Sequence, residues 1–292
     1  MSDAGVDSVK WISRTWNRKN PLSSSRKKRR RISQTLLSFL AIDLDKDGFN
    51  SANKKKLKKL QKILAVPKQL IKKSDLPTFC NDDFRTDKGP NNQEHKINGE
   101  KAYWDTIWKL WSVAPTCKSM SDLDGYMSFK ENPDENPGTA ERLVICPSGF
   151  GKPDTLSQLR SKGVQEVIRQ KVELDDVSEY VALTLFHELL HSQAAGYLED
   201  YNVHTGESIF VGNSNDKSNE DEEEEAIPAY GQVAVPIFAE SFPDKAMNNA
   251  DSVALYAAAM YLHKWSWWTG EAQIPDKESC DEGSDDADCC IQ

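Results

Sequence analysis

The residues best equipped for chemistry are His187-Glu188-Leu189-Leu190-His191. On an α-helix, side chains four apart share a face, so His187 and His191 can together hold one Zn2+. Glu188 projects about a third of a turn away. From there it can take the proton of a zinc-activated water and pass it to a leaving amine. The chemistry expected is zinc-dependent hydrolysis of peptide bonds, with protein or peptide substrates as partners. With only His, Glu and His specified, chance yields the pattern in roughly one chain of this length in a hundred, so context must decide. The residues before His187 are apolar. Two imidazoles and a carboxylate are costly to bury in such a helix without a partner, and a metal ion is one. The alternative is a surface helix with incidental histidines.

Two ligands do not complete a zinc site. A Gly three residues and a His six residues after the second His would extend the motif, but Ala194 and Tyr197 stand there. His204 lies in a polar stretch. Glutamates downstream, in the run Glu220-Asp221-Glu222-Glu223-Glu224-Glu225 or at Glu240, are further options.

Phe186-His187-Glu188-Leu189-Leu190-His191, Ala229-Tyr230-Gly231, Asn249-Ala250-Asp251-Ser252 and Leu255-Tyr256-Ala257 together resemble a family. They are similar to the fungal deuterolysin and lysine-specific metallo-endopeptidase group, the aspzincins, over roughly residues 100 to 265. That family carries an Asp ligand in a GTxDxxYG motif after the helix. Three residues before Tyr230 this chain has Ile227 instead. Asp200, nine residues after His191, has a spacing the family uses and is followed by Tyr201. The resemblance therefore implies Asp200 as third metal ligand, with Glu225 next, and an insertion between Asp200 and Tyr230 that splits the motif. It also implies that Asp251 orients a ligand histidine and that Tyr230 stabilises an oxyanion, against a plain core tyrosine. A preference for Lys beside the scissile bond and an extracellular location belong to the same resemblance. The split motif keeps a second function in play: a non-catalytic zinc-binding, zinc-scavenging or surface-interaction protein. Glu188 speaks for catalysis, since a pure zinc binder needs no base there.

The elements that must position these residues follow from periodicity. Val172 to Ala195 reads as one helix, started by a capping box of Asp176 with Glu179 and stopped by Gly196. Leu143 to Cys146 reads as a buried strand, and 230–240 and 249–263 as helices. Tyr103, Trp104, Ile107, Trp108 and Trp111 recur at helical spacing, as a core-facing stripe would. Leu76 to Gln93 reads as a linker or surface loop. These elements suit an α+β class, and the resemblance implies a zincin-like fold: mostly helical, with a small sheet over the HExxH helix.

The net charge of −9 hides a basic first quarter and an acidic remainder. This divides the chain into a basic extension (1–76), partly disordered and holding a degenerate EF-hand-like helix–loop–helix, a peptidase domain (77–270) and an acidic disordered tail (271–292). The basic run Arg26 to Arg31 lacks the aromatic interleaving of a nucleic-acid module, so no nucleic-acid partner is expected. Asp43, Asp45, Asp47 and Gly48 resemble a calcium loop, but Lys54 stands where a bidentate Glu belongs, so the loop reads as degenerate. The six cysteines leave disulfides open, and Cys146 reads as a core or disulfide residue. Cys289-Cys290-Ile291-Gln292 has the form of a prenylation signal without a polybasic lead. No stretch is long and apolar enough to span a membrane, no leader is visible, and a monomer is expected.

Overall fold

The computed structural model describes residues 23–44, 50–73, 76–97, 99–113, 116–120, 123–130, 141–150, 156–178, 180–209 and 227–274. Two long helices come first, α1 (Ser23–Leu40) and α2 (Ser51–Lys73). Seven short strands follow: β1 (Thr78–Phe79), β2 (Arg85–Thr86), β3 (His95–Ile97), β4 (Glu100–Asp105), β5 (Leu110–Ser112), β6 (Gly125–Phe129) and β7 (Glu141–Ile145). Six α-helices follow among the described residues: α3 (Leu156–Ser161), α4 (Val164–Arg169), α5 (Leu174–Ser178), α6 (Val181–Leu190), α7 (Gly231–Ser241) and α8 (Ala250–Tyr261). The class is α+β, with small sheets, and among the described residues no helix is long and apolar enough to cross a membrane.

The main core is helical and centres on α8, where every residue from Ser252 to Met260 is buried. Such all-round burial needs apolar partners on every side. The N-terminal helices supply some of them. Ile32, Leu36, Phe39 and Leu40 of α1, and Leu57, Leu60, Ile63 and Leu64 of α2, belong to the same core cluster as Leu183, Phe186, Val253 and Trp265. The two helices expected on either side of the calcium-like loop are thus packed into the main core. The basic run Arg26 to Arg31 is the start of α1, and the apolar stripe behind it is packed. Where their side chains are described, Lys28 and Arg30 of α1 and Lys54, Lys55, Lys58, Lys59 and Lys68 of α2 are exposed, as on the outer face of an amphipathic helix. The calcium-like loop at residues 45–49 and the tail from residue 275 lie outside the described residues, and the CaaX-like end with them.

The three-stranded sheet has the order β1-β7-β6, with β1 parallel and β6 antiparallel to β7. Side chains alternate across it. Leu143 and Ile145 meet Leu189 of α6, with Met127 and Leu185 at the margin. Tyr126, Val144 and Cys146 face the other way, against Phe84, Cys117 and Leu123. There Cys117 and Cys146 form a disulfide. The small sheet thus lies against the HELLH helix, as its apolar strand suggested.

Three readings need correction. Residues 103–111 form not a helix but the hairpin β4–β5, where Trp104 sits opposite Trp111. The four-residue turn between the strands mimics a helical repeat. Asp105 makes that turn by accepting hydrogen bonds from the Ile107 and Trp108 amides. Its other oxygen pairs with buried Arg142, whose guanidinium lies 3.8 Å from the Trp108 ring centre and 4.0 Å from that of Phe84. Residues 76–93 are not merely a linker, since they hold β1 and β2. Last, the helix expected over 172–195 is two: Tyr180 is extended between α5 and α6. Asp176 accepts from the Glu173 amide at 2.8 Å, so it is the far end of a cap begun at Glu173 rather than a cap of its own.

Because Leu36 is fully buried, Leu36→Ala is expected to cost about 2–5 kcal/mol in denaturant unfolding of the whole chain. A cost under about 0.5 kcal/mol, the range of surface substitutions, would show that α1 is not part of the core.

Candidate metal centre

His187 closes the last turn of α6 and His191 is its C-cap. The helix stops there because Ser192 turns extended and caps a short 3-10 turn, Gln193–Ala195. Gly196 follows at φ 93°, a conformation that L side chains rarely adopt. The chain then returns beneath the helix end. The Leu198 amide donates to the Leu190 carbonyl, and the Leu198 carbonyl accepts from His191 Nδ1 at 2.6 Å. Two residues on, Asp200 comes to rest against both histidines.

The imidazoles are oriented from behind. His191 Nδ1 meets a carbonyl, which can only accept. His187 Nδ1 lies 3.4 Å from Asp251 Oδ1. Both rings are thereby set to carry the proton on Nδ1 and to present the Nε2 lone pair. The two Nε2 atoms face each other at 3.2 Å. Asp200 Oδ1 lies 3.5 Å from His187 Nε2, and Asp200 Oδ2 lies 3.4 Å from His191 Nε2. Three acceptor groups thus converge on one point. Asp200 Oδ1 is buried and makes no hydrogen bond. In a tetrahedral zinc site with bonds near 2.1 Å, ligand atoms stand about 3.4 Å apart. The donor set fits that geometry.

His187, Glu188 and His191 form a group able to hold a metal ion. Glu188 differs from the histidines in one respect: its Oε2 accepts the Met127 backbone N–H at 2.9 Å. That amide belongs to β6, the outer strand of the sheet. The bond holds the carboxylate beside the convergence point and occupies one of its oxygens.

Electrostatics agree with the geometry. At His187, burial opposes the imidazolium, but Asp200, Asp251 and Glu188 outweigh it and raise the pKa well above the usual value. His191 is raised likewise, with Asp200 overcoming burial. Asp200, despite its burial, is held well below the carboxylate range by the two histidines. Burial, partly offset by the histidines, pushes Glu188 up, as suits a proton acceptor. Burial and the carboxylates of Asp200, Asp251 and Glu188 push the Tyr230 phenol up, so it stays a hydrogen-bond donor at neutral pH.

Tyr230 arrives from the far side of the excursion that follows Asp200. Residues 199–203 and 227–230 lie side by side. The Ala229 amide donates to the Tyr201 carbonyl at 2.7 Å, and the Val203 amide to the Ile227 carbonyl at 2.9 Å. The two halves separated in sequence are therefore adjacent in space. Tyr230 is the N-cap residue of α7, and its ring meets His187 edge-on at 5.7 Å. Asp251 uses its second oxygen to accept the Gly231 amide at 2.7 Å. His187, Glu188, His191, Asp200, Tyr230 and Asp251 are thus together. His204 sits on an exposed turn, and Glu240 is at the opposite end of α7 from Tyr230. Glu225 lies outside the described residues. Two functional groups had no signal in the sequence, the Met127 amide and the Leu198 carbonyl, because backbone atoms carry no residue identity.

No protein-family model, curated protein or solved structure matches the chain.

In chelator-treated protein, the Asp200–histidine contribution to stability is present above the unfolded carboxylate pKa, near 4, and is lost as pH falls below it. The histidine share is full below about pH 6.5 and lost as pH rises through the raised values. The gap in thermal midpoint between the native chain and Asp200→Asn should therefore be widest between about pH 4 and 6.5 and shrink towards pH 9. A gap that is constant or grows with pH would contradict the coupling.

Proposed function

We propose that the chain is a zinc-dependent metalloendopeptidase of the zincin type, similar to the aspzincins. The observation that carries this is the convergence of His187 Nε2, His191 Nε2 and the Asp200 carboxylate, with edges of 3.2 to 3.5 Å, beside a separately anchored Glu188. His187, His191 and Asp200 would hold the ion, an N2O set with room for a fourth position. Zinc in such a set supplies Lewis acidity, which makes a water more acidic and polarises an acyl oxygen.

The remaining work falls to the protein. Glu188 takes a proton from the attacking water as its oxygen bonds to the peptide carbon. Glu188 then delivers that proton to the amide nitrogen as the C–N bond breaks, leaving a carboxylic acid and an amine. Tyr230 donates its phenolic hydrogen to the oxygen that becomes negative during the attack. Asp251 keeps His187 in the tautomer that leaves Nε2 available. The outer edge of β6 offers an extended polypeptide a strand to lie along, close to Glu188. The Cys117–Cys146 disulfide supports maturation in an oxidising compartment.

The test pairs elemental analysis with cleavage of a denatured protein. The expected result is one zinc per chain, with cleavage lost in Glu188→Ala while zinc stays, and zinc lost in Asp200→Ala. Zinc with no cleavage by the native chain would favour the non-catalytic zinc-binding reading. No zinc would refute both readings.

Tyr230→Phe should lower kcat by about 10²–10³-fold with little change in KM, as loss of an oxyanion donor does. An equal loss confined to KM would assign the phenol to substrate binding instead.

A further inference from the structure

The N-termini of α5 and α7 clasp each other. Asp175, in the first turn of α5, accepts the Gln232 amide of α7 at 2.6 Å. In return, the Gln232 side chain accepts the Leu174 amide of α5 at 2.9 Å and donates to Glu173 at 2.6 Å. Each helix thus caps the other, filling donors that a helix start leaves open. Gly231 sits inside the clasp at φ 76°, and a Cβ there would approach Asp175 Oδ1 to 2.6 Å. On the other side, Asp251 takes the Gly231 amide. Two carboxylates, from helices far apart in sequence, therefore fix consecutive amides directly after Tyr230. The positive end of the α7 dipole favours both.

We propose that Asp175 is a positioning residue for Tyr230. It acts by holding the first turn of α7, from which Tyr230 reaches over His187. The backbone before Tyr230 is fixed by its pairing with 199–203 and by Asn249, which donates to the Ala229 carbonyl. The Tyr230 side chain is about half exposed, so its direction depends on the turn that follows it. Without Asp175, Gln232 loses its acceptor, Gly231 gains empty space, and the Tyr230 ring is free to leave His187. The role of the phenol in turnover rests on the function proposed above; its placement does not.

The experiment is a double-mutant cycle on the zinc-loaded full chain, with NMR on the same proteins. Asp175→Ala should lower kcat by about 10- to 100-fold and leave KM within about twofold, since a misplaced group costs turnover rather than binding. Asp175→Asn keeps the acceptor oxygen and should recover most of the rate. In a Tyr230→Phe background, Asp175→Ala should cost almost nothing further. The contact between the Tyr230 and His187 rings, read as a proton–proton NOE, should vanish in Asp175→Ala and persist in Asp175→Asn. An equal loss with and without the phenol, or an NOE that survives Asp175→Ala, would overturn the proposal. If the native chain cleaves nothing, the proposed function fails, and the NOE alone decides the positioning. Should Asp175→Ala not fold, Gln232→Pro, which removes the amide donor that Asp175 accepts together with the Gln232 side-chain contacts to Leu174 and Glu173, takes its place with the same expected loss of rate and of the NOE.

Discussion

The site depends on where two Nδ1 protons go. A histidine can present either ring nitrogen, and an unrestrained pair four residues apart would sample both. Here His191 Nδ1 is spent on the Leu198 carbonyl and His187 Nδ1 faces Asp251. What remains is two lone pairs 3.2 Å apart with a buried carboxylate across from them. Without a cation that arrangement is repulsive, and protons must be drawn in to relieve it, which is why the histidine pKa values rise and that of Asp200 falls. A metal ion relieves it without protons. The raised pKa values and the metal-ligand geometry are two expressions of the same convergence of acceptors.

Each partner in that convergence is delivered by a different structural device. The helix supplies the spacing of the histidines. The reversal at Gly196 brings Leu198 and Asp200 back beneath the helix end. Pairing of 199–203 with 227–230 then brings in Tyr230. This last device explains how Asp200 and Tyr230 can be neighbours although they are far apart in sequence. An excursion whose two ends are hydrogen-bonded to each other can lengthen at small entropic cost, since loop closure grows only with the logarithm of length. Asp200 and the Tyr230 phenol keep their relation whatever lies between them in sequence.

Much of this was legible in the residues, and the failures have physical causes. The HELLH helix, the strand at residues 141–145 and the last two helices were readable because each combines one dominant period with a clear breaker. Asp200, Tyr230 and Asp251 were singled out through a resemblance, and their proximity is what the coordinates add. The hairpin at 100–112 was misread because a four-residue turn between paired tryptophans reproduces a seven-residue spacing. The break at Tyr180 was missed because apolar residues run through it without Gly or Pro. Asp175 could not be found at all: its partner is a backbone amide 57 residues away, and no local pattern encodes such a contact.

The N-terminal helices illustrate why charge composition is a poor guide to what a segment does. Their lysines and arginines suggested an appendage, and the resemblance covers only the later part of the chain. Yet α8, which carries Asp251, is apolar on every face and buried on every face. A helix of that kind has no solvent side and cannot sit at the surface of a domain. α6 and α7 cover part of it, and α1 and α2 cover another part. Removing α1 would expose alanines, leucine and tyrosine that have no polar alternative, and α8 would have to repack. Any such shift moves Asp251, and with it the proton on His187 Nδ1. The basic helices are therefore tied to the candidate metal centre through α8, through direct packing of α2 on α6 and through the hydrogen bond that Lys59 donates to Asn248.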